Sequence, residues 1–163
     1  MDEIQARKKK KYTPAQAFLK AQLFCAYQER YQQEVRDKLY EWGLYPDAVE
    51  NVIAQLITDN FLNEERFAKA YAGGKFRIKK WGRIKIKLEL KKRHISDYCI
   101  RQGMKEIDDD AYLRTLKHLV EKKQSETKDK NPLVKNAKVA RCIASKGFEQ
   151  DLIWDVIKEI TTD

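Results

Sequence analysis

One pattern of apolar residues recurs three times along this chain at a period of just over fifty residues, and a repeat of that length constrains the architecture before any single helix is considered. Aligned on Gly43, His94 and Gly147, the next position is Leu44, Ile95 and Phe148, and five further on stand Val49, Ile100 and Ile153. The match continues through Val52-Ile53, Gly103-Met104 and Val156-Ile157 to Leu56, Ile107 and Ile160. Upstream it holds four residues before the anchor (Leu39, Leu90, Ile143) and eight before it (Val35, Ile86, Val139). Apolar residues three to four apart on both sides of a corner describe two amphipathic helices joined by a tight turn. Gly43 and Gly147 suit the left-handed residue that ends a helix; His94 takes that place in the middle unit, whose corner is therefore strained or differently built.

A further helix precedes each pair. Thr13-Pro14 reads as an N-cap followed by proline, opening a helix to about Gln28; Asn63 with Glu64 and Glu65 opens a second, and Asp108-Asp109-Asp110 a third. The three aspartates read as capping residues, since Leu113, Leu116, Leu119 and Val120 follow at helical spacing and negative charge suits a helix N-terminus. The expected fold is all-α: three tandem three-helix repeats over 13–62, 63–107 and 108–163, stacked into an elongated, curved array because units this small do not stand alone. Only 6 Gly and 3 Pro interrupt 163 residues, which agrees with that expectation. The polar segment from Glu121 to Lys130 is either an exposed helix end or a linker before Asn131-Pro132. Trp42 and Trp154 fall beside the apolar seams, where packing is their expected role.

The charge is not spread evenly. Lys75, Arg77, Lys79, Lys80, Arg83, Lys85, Lys87, Lys91, Lys92 and Arg93 stand between positions 75 and 93 with Glu89 as the only acid, so this stretch carries +9, the formal net charge of the whole chain. A charge run is ordinarily a solvated helix face. Its concentration in one repeat, with Phe76 and Trp81 interleaved, points instead to a face for phosphates or an acidic groove. Within it, Ile84-Lys85-Ile86-Lys87-Leu88-Glu89-Leu90 alternates like a strand. The repeat overrules this, because Ile86 and Leu90 match helical core positions in the other two units. Ile84 and Leu88 then form a second apolar stripe without counterpart, the equivalent residues being Gln33 and Asp37 or Ala137 and Arg141. It is either buried against the preceding helix or offered to a partner protein. A second basic run, Arg7 to Lys11, belongs to an expected disordered tail over residues 1–12.

Little suggests chemistry. Cys25, Cys99 and Cys142 are far apart and read as buried thiols; with His94 and His118 as the only histidines, no zinc site, metal or cofactor is expected. His118 has no recognisable partner, and Gly73-Gly74-Lys75 lacks the flanking residues of a phosphate loop. A nuclease would need clustered carboxylates or histidines. No apolar run of about 18 residues occurs and the first residues are polar, so a cytosolic, monomeric protein with no membrane association is expected.

The segment Asn63-Glu64-Glu65-Arg66-Phe67-Ala68-Lys69-Ala70-Tyr71, followed by Trp81-Gly82, Arg83-Ile84 and Leu88-Glu89-Leu90 up to His94-Ile95, resembles the signature of the RecX family. Two departures are Arg83, where the family has proline after the glycine, and His94 in place of the corner glycine. The resemblance implies a non-enzymatic modulator of the RecA recombinase that lies on its filament and restrains ATP hydrolysis and strand exchange in recombination, DNA repair and the SOS response. The partners so implied are the RecA filament and single-stranded DNA, with duplex DNA as a further candidate. It also implies structural roles for the motif residues Arg66, Phe67, Ala68, Tyr71, Gly82, Leu90 and Ile95. The basic residues from Lys75 to Arg93 are then the expected contact. The residues alone leave open a standalone nucleic-acid-binding protein.

Overall fold

The computed structural model describes residues 11–162. Among them run nine α-helices and no strand: α1 (Pro14–Tyr27), α2 (Gln32–Glu41), α3 (Pro46–Thr58), α4 (Glu64–Lys79), α5 (Arg83–Lys92), α6 (Asp97–Met104), α7 (Asp109–Glu126), α8 (Pro132–Ser145) and α9 (Gln150–Thr162). Three helices fall to each period of the repeat. Residues 7–10 of the N-terminal basic run lie outside the described residues.

Local chemistry sets the helix starts. Thr13 and Gln16 form a reciprocal capping box with Pro14 at the first helical position. Asn63 accepts the Arg66 N–H at 2.9 Å, Ser96 that of Cys99 and Asp108 that of Ala111, so each satisfies a donor that its helix leaves orphaned. Asp108 is the cap of α7, the role expected of the aspartate run, and Asp109 and Asp110 fall in the helix's first turn. The polar stretch after Glu121 is helix end as far as Glu126, and Asn131 caps α8.

The alternating segment 84–90 is helical. Ile86 and Leu90 are fully buried on one side of α5, as are their counterparts Val35 and Leu39 in α2 and Val139 and Ile143 in α8. Burial of one helical stripe has overridden the period-two pattern, since sequence propensity is weak beside packing.

The three corners share one construction. Gly43, His94 and Gly147 all take left-handed backbone, with φ of 88°, 58° and 96°. In the first two corners the anchor N–H returns to the carbonyl three residues back, and the following N–H to that five back: Gly43 to Tyr40 and Leu44 to Leu39, His94 to Lys91 and Ile95 to Leu90. His94 thus keeps the glycine geometry at the cost of a side chain where left-handed backbone is disfavoured.

The described residues divide into two compact units with the boundary between Phe67 and Ala68, inside α4. In the first unit α1 packs on α2 and α3, and turns the small Ala17, Ala21 and Cys25 inward onto Val35, Leu39, Val49 and Leu56. Burial pushes the Cys25 thiol up to about 11, which keeps it protonated. Trp42 meets Tyr12 and Phe24 edge-on. Arg66 closes this unit: it pairs with Glu29 at 2.5 Å and donates to the carbonyls of Asn60 and Phe61. In the second unit α5 packs on α6, and α7 on α8 and α9. One expectation is corrected: Cys99 and Cys142 are half-buried rather than buried. Trp154, on α9, is 37% exposed.

Replacing His94 with glycine is expected to raise stability to urea by about 1 kcal/mol, because it removes the left-handed penalty and loses only an exposed side chain. Gly147→Ala should do the opposite by more than that, since its Cβ would meet Lys85 in a backbone conformation hostile to it.

Candidate functional site

The charged stretch of the sequence becomes the end of α4, the turn at Lys80–Gly82 and the whole of α5. These elements do not present their ten cations alike. The structure sorts them into groups turned inward and groups left to solvent.

Arg83 is turned inward. Its guanidinium pairs with Asp109 at 2.5 Å and Glu149 at 3.3 Å, and lies 3.9 Å over the ring of Tyr112. Its backbone N–H donates to the Tyr112 hydroxyl at 3.0 Å, and that hydroxyl donates to Glu149 at 2.5 Å. Tyr112 is fully buried and packs between Phe76 and Phe148. Burial and the bond to Glu149 push its hydroxyl far above the ordinary tyrosine range, so it stays a donor.

Backbone contacts extend this latch. The N–H of Gly82 donates to the carbonyl of Lys146 at 2.8 Å and that of Ile84 to the carbonyl of Gly147 at 2.9 Å. Gly82 has no side chain to cap α5, and the third repeat supplies the acceptors instead. A Cβ on Gly82 would collide with the backbone of Gly147 and Phe148, which is why only glycine fits there.

Four other cations are also engaged. Arg93 bonds the carboxylate of Glu89 at 3.0 Å and its carbonyl at 2.8 Å, and lies over Tyr71. Together with Lys92, which bonds the same carboxylate, it holds Glu89 below the usual carboxylate range. Lys75 and Lys85 both lie within 5 Å of the Trp81 ring centroid, at 4.9 and 4.4 Å.

Lys79, Lys80, Lys87 and Lys91 are exposed and their side chains make no hydrogen bond, ion pair or ring contact among the described residues, and Arg77 is exposed as well. Lys87 shares an open cleft with Arg101 of α6 and Lys105 just after it, two cations that lie beyond the run that sequence singled out, and with Asp108 and Asp109. On the outer side of α5, Ile84 and Leu88 are each 52% exposed, so the stripe is not buried against the preceding helix. Of the motif residues, Phe67, Ala68, Gly82, Leu90 and Ile95 are buried, Arg66 holds the first unit together, and Tyr71 lies beneath Lys75 and Arg93.

Among the described residues there is no group of three or more His, Cys, Asp or Glu placed to hold a metal ion, and no helix is long and apolar enough to cross a membrane.

A tandem three-helix repeat protein whose excess charge sits on its middle unit is the class defined by this fold and face. Family models for the first, second and third three-helix domains of RecX match residues 17–56, 63–104 and 110–157, in that order, and the chain belongs to the RecX family. The regulatory protein RecX of Clostridium perfringens strain 13 is 30% identical over 81% of this chain, and that of Bacillus cereus strain B4264 is 24% identical over 88%. The chain spans 62% and 53% of the lengths of these two relatives. The crystal structure of RecX from Lactobacillus salivarius superposes with a TM-score of 0.83 at 25% identity, covering 92% of this chain and 97% of that one.

The sorting of the cations is open to a stability test. Tyr112→Phe strands the Arg83 N–H and one Glu149 oxygen, and is expected to cost roughly 1–3 kcal/mol in urea unfolding; Arg83→Glu, facing two carboxylates, should cost a comparable amount. Lys87→Gln with Lys91→Gln should stay within about 0.5 kcal/mol of the parent. Equal losses in both sets would contradict the division.

Proposed function

We propose that this chain binds the filament that RecA forms on single-stranded DNA and restrains its ATP hydrolysis and strand exchange, as a regulator of recombination and DNA repair without chemistry of its own. Membership of a family whose relatives are named regulatory proteins supports the reading. The observation that carries it is the set of exposed lysines in the second repeat whose side chains have no partner among the described residues, Lys79, Lys80, Lys87 and Lys91; Lys87 shares its cleft with Arg101 and Lys105 as well as with Asp108 and Asp109. Such groups attract a polyanion without reading its sequence, because phosphate contacts give affinity and register rather than base discrimination. A filament with its DNA is a target of that kind. Arg83 and Arg93 contribute to it chiefly through the shape of α5, since both guanidinium groups are already paired with carboxylates of this chain.

RecA ATPase on single-stranded DNA, measured with substoichiometric amounts of the protein, is expected to fall with dose. Replacing Lys79 and Lys80 with glutamine should weaken the effect and lower the slope of log affinity against log salt by about 0.7 for each phosphate that is no longer neutralised. An ATPase rate that does not respond at any dose refutes the proposal; if the chain then still binds bare single-stranded DNA, it is a standalone nucleic-acid-binding protein.

A further inference from the structure

The exposed ridge of α5 carries a feature that nucleic-acid binding does not account for. Ile84, Lys87, Leu88 and Lys91 follow at i, i+3, i+4 and i+7, the spacing of one helix face. That face is opposite Ile86 and Leu90, which are fully buried, so its orientation away from the core is fixed by packing. Its two aliphatic side chains are each 52% exposed, and the side chains of both lysines beside them are exposed and have no partner among the described residues. The corresponding positions of the other repeats are Gln33 and Asp37, or Ala137 and Arg141, so the apolar pair is confined to the charged unit.

The chemistry of the ridge discriminates between partners. Proteins that hold single strands stack bases on aromatic rings. The helix α5 itself carries no aromatic residue, and the rings of Trp81, Tyr71 and Tyr112 are covered by the repeat's own cations: Trp81 by Lys75 and Lys85, Tyr71 by Lys75 and Arg93, and Tyr112 by Arg83. What α5 turns outward is aliphatic and cationic. Branched aliphatic groups gain little from a phosphate backbone, but a helix that presents anchors at this spacing is suited to a protein groove with an apolar floor. The flanking lysines require that groove to have an acidic rim, by charge complementarity.

We infer that the outer ridge of α5 docks into an acidic-rimmed apolar groove on a protein, with Ile84 and Leu88 as its anchors, rather than onto nucleic acid. This rests on the function proposed above and assigns that protein surface to the filament's protein subunits. The ridge then supplies protein affinity, and the lysines outside it, Lys79 and Lys80 among them, supply the electrostatic part.

The double variant Ile84→Gln/Leu88→Gln keeps helix-forming residues at exposed positions, and an unchanged helical spectrum and melting curve would establish that it folds. Its binding to RecA assembled on poly(dT) is expected to be at least about tenfold weaker than that of the parent chain. Its affinity for bare poly(dT) should stay within roughly twofold. Leu113→Gln, an exposed leucine on α7, serves as the control and should leave both unchanged. Loss of poly(dT) affinity in step with filament affinity would overturn the inference in favour of nucleic acid. Loss of self-association in sedimentation would overturn it in favour of a second copy. If the parent chain binds the filament and the double variant binds equally well, the inference alone fails; if the parent chain does not bind it, the proposed function fails as well.

Discussion

The first turn of α5 begins on a glycine without a side-chain cap, and its backbone donors are satisfied by another repeat. Gly82 and Ile84 donate to the carbonyls of Lys146 and Gly147, and Arg83 donates to the hydroxyl of Tyr112. A helix end left without partners loses a hydrogen bond's worth of free energy at each orphaned group. The start of α5 is therefore held by the third repeat, and both sides of this joint lie in one compact unit. Everything on the outer face of α5 inherits its position from this joint. A change at Tyr112 or Gly147, remote in sequence from the basic run, alters the face without touching any residue on it.

That dependence divides the charge into two jobs. A cation held by a carboxylate and an aromatic ring shapes the protein, and a cation without neighbours is available to a partner. Arg83, fixed by Asp109, Glu149 and Tyr112, is of the first kind; Lys87, one turn along α5, is of the second. The choice of residue agrees with the division. Arginine's planar fork suits two carboxylates and a ring face at once, whereas lysine is a mobile point charge suited to phosphates that vary in position. Both arginines of the α5 region, at 83 and 93, are engaged, and the unengaged cations of α5 are lysines.

The helices, the corners and most of the core could be read from the sequence because each rests on contacts between residues a few positions apart, copied three times. Leu39 and Leu44 betray their burial through Leu90 and Ile95, and through Ile143 and Phe148. Alignment of the repeats even settled the alternating segment around Ile86 correctly. The latch had no such signal. Arg83 and Glu149 are 66 positions apart and occur once, so no period reveals them, and a basic residue in a basic run reads as one more surface charge. Arg101 and Lys105 were missed for a similar reason: they join Lys87 only when α6 folds beside α5. The exposure of Ile84 and Leu88 was likewise undecidable, because periodicity says which residues share a face and not what covers it.

The two departures from the family pattern have different physical meanings. A proline at position 83 has no N–H, so it would leave the Tyr112 hydroxyl without that donor and Asp109 and Glu149 without a cation. Arginine there exchanges a preset backbone angle for a hydrogen bond, two ion pairs and a stacked ring, and commits this chain to the carboxylates that face it. His94 obtains nothing comparable, since its side chain is exposed and its backbone bonds are those a glycine would make. Position 83 is therefore coupled to Tyr112 and Glu149, and would be expected to change only along with them. Position 94 stands alone, and returning it to glycine relieves strain without disturbing any other part of the unit.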